Sequence, residues 1–329
     1  MRLVVTALAT CLAVSPAIAA PKVIASVVPV HGIVSAVMGE TGQPELLLSG
    51  SMSEHRATFT PQQIAGMGKA DVVFIIGQGL EAKLSQISGS EAVNGKRFVE
   101  LSEAKGITTL PIREGGAWEA HDHDHDHGHD HGHGHDHGHD NGHDHGHAHG
   151  DKDKEGVLEF DPHVWLDPQN AKAMAEAVAA ELSKADPANA AVYKANAQAF
   201  ANSLDGLSAE IAAELEPVKT VPYVVFHDAY QYFENRFGLS AAGSISDVSA
   251  KAPSAKRLKE IRGKIKEVKA ACVFREPQYD GKVVTTVIEG TGAKQGVLDP
   301  LGADITPGPQ AYQQLLAQLS KSLKACLAS

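Results

Sequence analysis

Beyond residue 20 the chain alternates between two apolar patterns. Short runs rich in Val and Ile, such as Lys22 to Val28 (KVIASVV) and Asp71 to Ile76 (DVVFII), have the length of strands. Asp71 to Ile76 has almost no polar position, as expected of a parallel strand buried on both faces. Between these runs lie helix-favouring stretches: Pro29 to Gly39, a segment opened by the capping pair Thr60-Pro61, and Leu80 to Ile87. Further strands are predicted at Glu45 to Leu48 and Arg97 to Val99. The β-α-β-α-β alternation predicts a parallel sheet with covering helices.

After a tight segment between prolines, Asp161 to Pro168 (DPHVWLDP), Gln169 to Ser183 reads as one helix. Asp186-Pro187 opens a second that continues from Ala188 to Glu216, roughly 30 residues or about 45 Å at 1.5 Å per residue. Such a helix can span two domains. Alternation then resumes: strand Val221 to Phe226, helix Ala229 to Phe237, strand Leu239 to Gly243, helix Ser254 to Val268. Strand Ala271 to Phe274, a helix after Tyr279, strand Gly296 to Leu298 and a final helix from Gln310 follow. The predicted fold class is α/β: two parallel-sheet α/β domains joined by a long rigid helix, with a cleft between them. The expected boundaries are 20–168 for the first domain, 169–217 for the helical segment and 218–329 for the second domain. Gly77-Gln78-Gly79 follows a strand but lacks the rest of a dinucleotide fingerprint.

At 329 residues and 43% apolar content, the chain has enough material for two sizeable cores. Residues 1–19 read as an export signal: Arg2, an apolar run from Leu3 to Val14, and the small-x-small site Ala17-Ile18-Ala19. The run is too short for a permanent membrane span. Thr10 before Cys11 is a poor lipidation context, so a soluble exported protein is expected. Cys11 leaves with the signal, and Cys272 and Cys326 remain. In an oxidising compartment the pair reads as one disulfide worth about 4 kcal/mol, the alternative being two buried thiols.

The net charge of −11 argues against nucleic acid. Much of it comes from one segment within a loop expected at 119–156. Fourteen of the eighteen histidines fall there: His121, His123, His125, His127, His129, His131, His133, His135, His137, His139, His143, His145, His147 and His149. They are interleaved with Asp and Gly, so the tract has almost nothing apolar to offset the entropy of ordering. Imidazole at this density points to zinc, copper or nickel, held in several weaker, exchangeable sites.

Four histidines lie elsewhere. His55 follows a Gly/Ser-rich loop, His163 sits between prolines, and His227 ends the run YVVF. Ligands of open α/β sheets gather at the carboxyl ends of strands. A ligand shared by His55 and His227 would therefore lie between the domains. Three imidazoles plus a carboxylate or water make a good zinc site, although scattered histidines are more often surface or satisfied core residues. His31 is expected to be such an ordinary histidine.

Four segments give this pattern a family resemblance: SEHRATFTP, DPHVWLDP, FHDAYQYFENRFGL and VLDPLGADI. Across nearly the whole mature length the chain resembles the ZnuA family, periplasmic solute-binding proteins of zinc-uptake ABC transporters. The resemblance implies His55, His163 and His227 as metal ligands at the domain interface. Glu54 is the implied possible fourth ligand and Asp299 its alternative. It also implies a disulfide between Cys272 and Cys326, and a histidine-rich loop where the tract lies. Related manganese binders carry glutamate at the third motif, so His227 favours zinc.

The expected partners are the zinc ion and a membrane permease of an ABC transporter, with no nucleic acid and a monomeric protein. Asp228 and Trp165 are expected to orient or pack the site, and Tyr230, Tyr232 and Phe233 to form a core-facing stripe. Affinity should fall as pH drops through the histidine range near 6.5. The competing readings are a metal buffer dominated by the tract and a mononuclear zinc hydrolase. Against the latter stands the absence of an HExxH helix.

Overall fold

The computed structural model describes residues 20–93, 97–114, 118 and 158–329. The export signal and the histidine tract lie outside the described residues. The first sheet has strands β1 (Val23–Ala25), β2 (Glu45–Leu46), β3 (Val72–Ile75) and β4 (Arg97–Glu100), parallel in the order β2-β1-β3-β4. The second has β5 (Tyr223–His227), β6 (Ser244–Ser246), β7 (Cys272–Arg275) and β8 (Lys294–Val297) in the corresponding order β6-β5-β7-β8. Both halves thus reverse direction between their first and third strands. There the connections diverge and open a crevice at the carboxyl ends.

Nine α-helices cover the sheets among the described residues: α1 (Val28–Met38), α2 (Pro61–Met67), α3 (Ala82–Ser88), α4 (Pro168–Ala185), α5 (Ala190–Leu215), α6 (Gln231–Phe237), α7 (Ala255–Val268), α8 (Lys282–Ile288) and α9 (Ala311–Leu327). The start signal at Thr60-Pro61 acts as expected. The Thr60 hydroxyl accepts from the Gln63 N–H while the Gln63 side chain returns to the Thr60 N–H, a complete capping box. The long helix is 26 residues, because Pro187–Asn189 forms a separate 3₁₀ turn. Asp186 pins that corner by accepting from Asn189 and the Tyr193 hydroxyl, both at 2.7 Å.

One strand position needs correction. The strand predicted at Leu239 to Gly243 lies further on, at Ser244–Ser246. Gly238 closes α6 in the left-handed conformation (φ 70°), and the next residues bring the chain back to the sheet. The two sheets share most of one core. One continuous apolar core takes in β1 and β3, the inner face of β5 and β7, and helices α1, α4, α5 and α9. A smaller core lies under α7 and α8. The period of two along a strand explains the split: Tyr223 and Val225 face the shared core, while Val224 and Phe226 face the outer one.

The C-terminal helix fastens the two halves together. α9 buries Leu315, Leu316, Leu319 and Leu323, and packs on both α1 and α5. Each such leucine contributes about 1.5–3 kcal/mol relative to exposure. The Cys272–Cys326 disulfide, with Cα atoms 6.2 Å apart, ties α9 to β7. Gly296 on β8 leaves the room this needs: a Cβ there would lie 2.4 Å from the Phe274 ring and 3.2 Å from Cys326 Sγ. Shared apolar packing of this extent opposes wide opening. Metal-free and metal-loaded crystals should superimpose as whole chains, and X-ray scattering should give the same radius of gyration for both; a clamshell rotation would contradict this.

Candidate metal centre

Both crevices open onto one group of side chains at the boundary between the sheets. His227 is the last residue of β5. Glu54 and His55 begin a 3₁₀ turn after β2, and His163 immediately precedes another that leads into α4. Asp167 and Pro168 fix that second turn, since the Asp167 carboxylate accepts from the Gln169 N–H and proline occupies the first helical turn. One donor atom each from Glu54, His55, His163 and His227 lies within 4.8 Å of the others. Their separations include 3.2 Å between the Nε2 atoms of His163 and His227. Glu54 Oε1 is 3.7 Å from His55 Nε2 and 3.9 Å from His163 Nε2. A tetrahedral zinc shell with bonds near 2.0–2.1 Å has edges of about 3.3–3.5 Å. The four donors are therefore close to such a shell. The His55 side chain is 6% exposed and the other three are more deeply buried. Glu54 Oε1 and His55 Nε2 have no hydrogen-bond partner, although buried polar atoms normally find one.

Carboxylates behind the imidazoles determine which nitrogen faces the centre. Asp161 Oδ1 lies 2.8 Å from His163 Nδ1 and also accepts the His163 backbone N–H at 3.0 Å. Glu276, immediately after β7, places its two oxygens 2.7 and 2.8 Å from His227 Nδ1. Each carboxylate holds the proton on Nδ1 and leaves Nε2 toward the shared point, the usual backing of a metal-bound histidine. Burial, followed by the neighbouring histidines, drives the pKa values of His55 and His163 well below the usual imidazole range. Burial would lower His227 too, but the Coulombic pull and hydrogen bond of Glu276, aided by Glu54 and Asp228, hold it at about 9. Burial raises Glu54 to about 7 against the attraction of His227. His227 Nε2 and His163 Nε2 face each other across 3.2 Å, in the space between the donors.

Sequence reasoning named all four members of this group but missed Asp161 and Glu276. Asp161 stands two residues before His163 in DPH. Glu276 follows the strand beside the one that ends in His227, a placement legible only once the strand order is known. The structure does not bring Asp299 into the group. Its Oδ1 accepts from the N–H groups of Leu301 and Gly302, its Oδ2 from Ala303, so the carboxylate caps a turn. His31 is an ordinary buried histidine bonded to Pro44 O and Ser35 Oγ. Trp165 packs against His163, with ring centres 5.2 Å apart. The stripe on α6 does more than fill core: the Tyr230 hydroxyl donates to Glu276 and that of Tyr232 to the Asp161 carbonyl.

The loop carrying Glu54 and His55 is bound across the domain boundary. Ser53 Oγ is 2.9 Å from the Tyr279 hydroxyl, Arg56 donates to the Ala250 carbonyl at 2.7 Å, and Gln278 donates to the Gly50 carbonyl at 2.6 Å. At Gly50 the backbones nearly touch: an added Cβ would lie 2.5 Å from the Gly302 oxygen. Gly50→Ala should push this loop off its seat and weaken zinc binding roughly 10–100-fold in competitive titration. The pH dependence should extend above the range expected from free histidine. A proton on His227 competes with the metal wherever the pH is below its pKa. Affinity should therefore rise until about pH 9, changing roughly tenfold per unit, and more steeply below about 7 where Glu54 also holds a proton. Chelator competition from pH 6 to 9 measures both slopes, and a plateau above pH 7 would contradict the assignment.

The sequence profile of the ZnuA family, described as zinc-uptake complex component A periplasmic, matches residues 23–326. A protein of Brucella abortus named high-affinity zinc uptake system protein ZnuA is 50% identical over 305 residues, spanning 93% of this chain and 91% of that protein. The Paracoccus denitrificans protein of the same name is 41% identical over 308 residues, spanning 93% and 92%. Among solved structures, one described as the crystal structure of ZnuA aligns with a TM-score of 0.73 at 25% identity, covering 94% of this chain and 99% of that one. The chain belongs to the ZnuA family of periplasmic zinc-uptake components.

Proposed function

We propose that this protein captures Zn²⁺ in the periplasm and hands it to the permease of an ABC transporter. His55, His163, His227 and Glu54 supply the ligands. The observation that carries this reading is the buried set of three nitrogens and one carboxylate oxygen, spaced near the edges of a tetrahedron. Imidazole-rich donors favour zinc over manganese. Four protein donors also complete the shell, whereas a hydrolytic zinc keeps one position open for water, which argues for capture over catalysis.

The division into 20–168, 169–217 and 218–329 belongs to the same reading. The first and last segments supply opposite walls of the site, and the helical segment holds them at fixed separation. Residues 1–19 act as an export signal, and the mature protein works as a monomer. The fourteen histidines of the tract collect zinc beside the central site and exchange it readily.

Competitive zinc titration tests the assignment. The protein lacking residues 121–150 should retain one tight site, while His55→Ala/His163→Ala/His227→Ala in the full chain should keep only weak binding. Loss of nearly all affinity on deleting the tract would favour a metal buffer instead. Ester, peptide or phosphate hydrolysis that disappears in His163→Ala would restore the enzyme reading.

A further inference from the structure

Behind His163 and His227 lies a second layer of polar contacts, contributed by both sides of the domain boundary. Leu110 and Asp161 flank the tract-bearing insert in sequence and meet in space, with the Asp161 N–H donating to the Leu110 carbonyl at 2.9 Å. The Tyr232 hydroxyl on α6 joins both: it accepts from the Leu110 N–H at 2.9 Å and donates to the Asp161 carbonyl at 2.7 Å. Asp161 is also the residue that orients His163. Three positions beyond Leu110, Arg113 makes the corresponding connection to His227. Its Nε donates to both oxygens of Asp228, at 3.0 and 3.1 Å, and its Nη2 to Asp228 Oδ1. Its Nη1 donates to Glu234 Oε2 at 2.6 Å. Glu234 accepts in addition from the Tyr223 hydroxyl at 2.9 Å, at the opposite end of β5 from His227. The ring of Trp118 covers the guanidinium, with 3.6 Å from Cζ to the ring centre.

Asp228 and Glu234 are 2% and 3% exposed. Two carboxylates this deep require a cation, and the planar fork of arginine holds both in one geometry, as a lysine point charge would not. Asp228 directly follows His227, so fixing its side chain constrains the chain at the end of β5. That in turn places His227 Nε2, which lies 3.2 Å from His163 Nε2.

We propose that Arg113 is a positioning residue of the metal centre: it clamps the end of β5 against the insert-bearing segment and so sets the spacing of the His227 and His163 imidazoles. The proposal rests on the zinc-capture reading above. None of the four donors contacts Arg113 through a hydrogen bond, so its loss leaves the ligand set intact and loosens the geometry.

The test uses the full chain with one equivalent of metal. Zinc dissociation into excess chelator and the visible absorption of bound Co²⁺, which reports coordination geometry, are compared in wild type, Arg113→Met, Arg113→Lys and the neutral triple variant Arg113→Met/Asp228→Asn/Glu234→Gln. Zinc should leave Arg113→Met and the triple variant roughly 10–100-fold faster, with a weakened or shifted tetrahedral Co²⁺ band. Arg113→Lys should recover part of the loss. Should Arg113→Met fail to fold, the Lys and triple variants decide, since neither leaves buried carboxylates without compensation. Variants that melt at lower temperature but keep the wild-type dissociation rate and Co²⁺ spectrum would overturn the proposal, showing that Arg113 only stabilises the fold. A wild-type protein with no tight site and no tetrahedral band would instead overturn the capture reading beneath it.

Discussion

The structure depends on holding one carboxylate and three imidazoles, Glu54, His55, His163 and His227, together and away from water without letting them collapse onto other partners. An unpaired buried polar group costs about 1–3 kcal/mol, and here two such atoms, Glu54 Oε1 and His55 Nε2, face the same point. The protein sustains this by opposing the inward tendency of each side chain from behind. Asp161 and Glu276 hold the outer nitrogens of His163 and His227, while Tyr230 and Tyr232 hold Glu276 and the Asp161 main chain. The loop bearing the other two donors is fastened by Ser53, Arg56 and Gln278 with its partner contacts. The centre is therefore specified as much by its backing as by its donors.

This construction relies on the matching strand orders of the two sheets. In the second sheet, His227 and Glu276 end the adjacent strands β5 and β7 or immediately follow them, so the imidazole and its acceptor come from neighbouring positions on either side of the crossover crevice. The first sheet contributes through loops: the turn after β2 brings Glu54 and His55, and the segment entering α4 brings His163. Among the described residues, the first half contributes Glu54, His55 and His163 to this group and the second contributes His227. Only the shared core under α1, α5 and α9 gives the two contributions a fixed relation.

Much of this was legible in the sequence because it rests on local signals. Strand runs with no polar face, the Thr60-Pro61 helix start, and histidines at strand ends or between prolines all carry their meaning within a few residues. What escaped depends on distant pairings. Glu276 is unremarkable in FREPQYD until β7 is known to lie beside β5. Tyr230 and Tyr232 read as core because their spacing follows a helix face, while their hydroxyl partners lie 46 and 71 positions away. Asp299 looked like a ligand from its motif, but nearby backbone N–H groups take up both of its oxygens. That the two sheets share most of one core could not be read from the chain, because alternation along a strand says that both faces are buried and not what buries them.

The continuous core has a consequence for the protein as a thermodynamic object. Two sheets with matching topology suggest two modules that could melt, or be expressed, one at a time. Here the C-terminal helix is tied by a disulfide to the second sheet while packing on α1 beneath the first. Removing either half strips an apolar layer from the other. The packing of the described residues therefore favours melting as one unit, so that any ligand held between the two sheets would stabilise both at once.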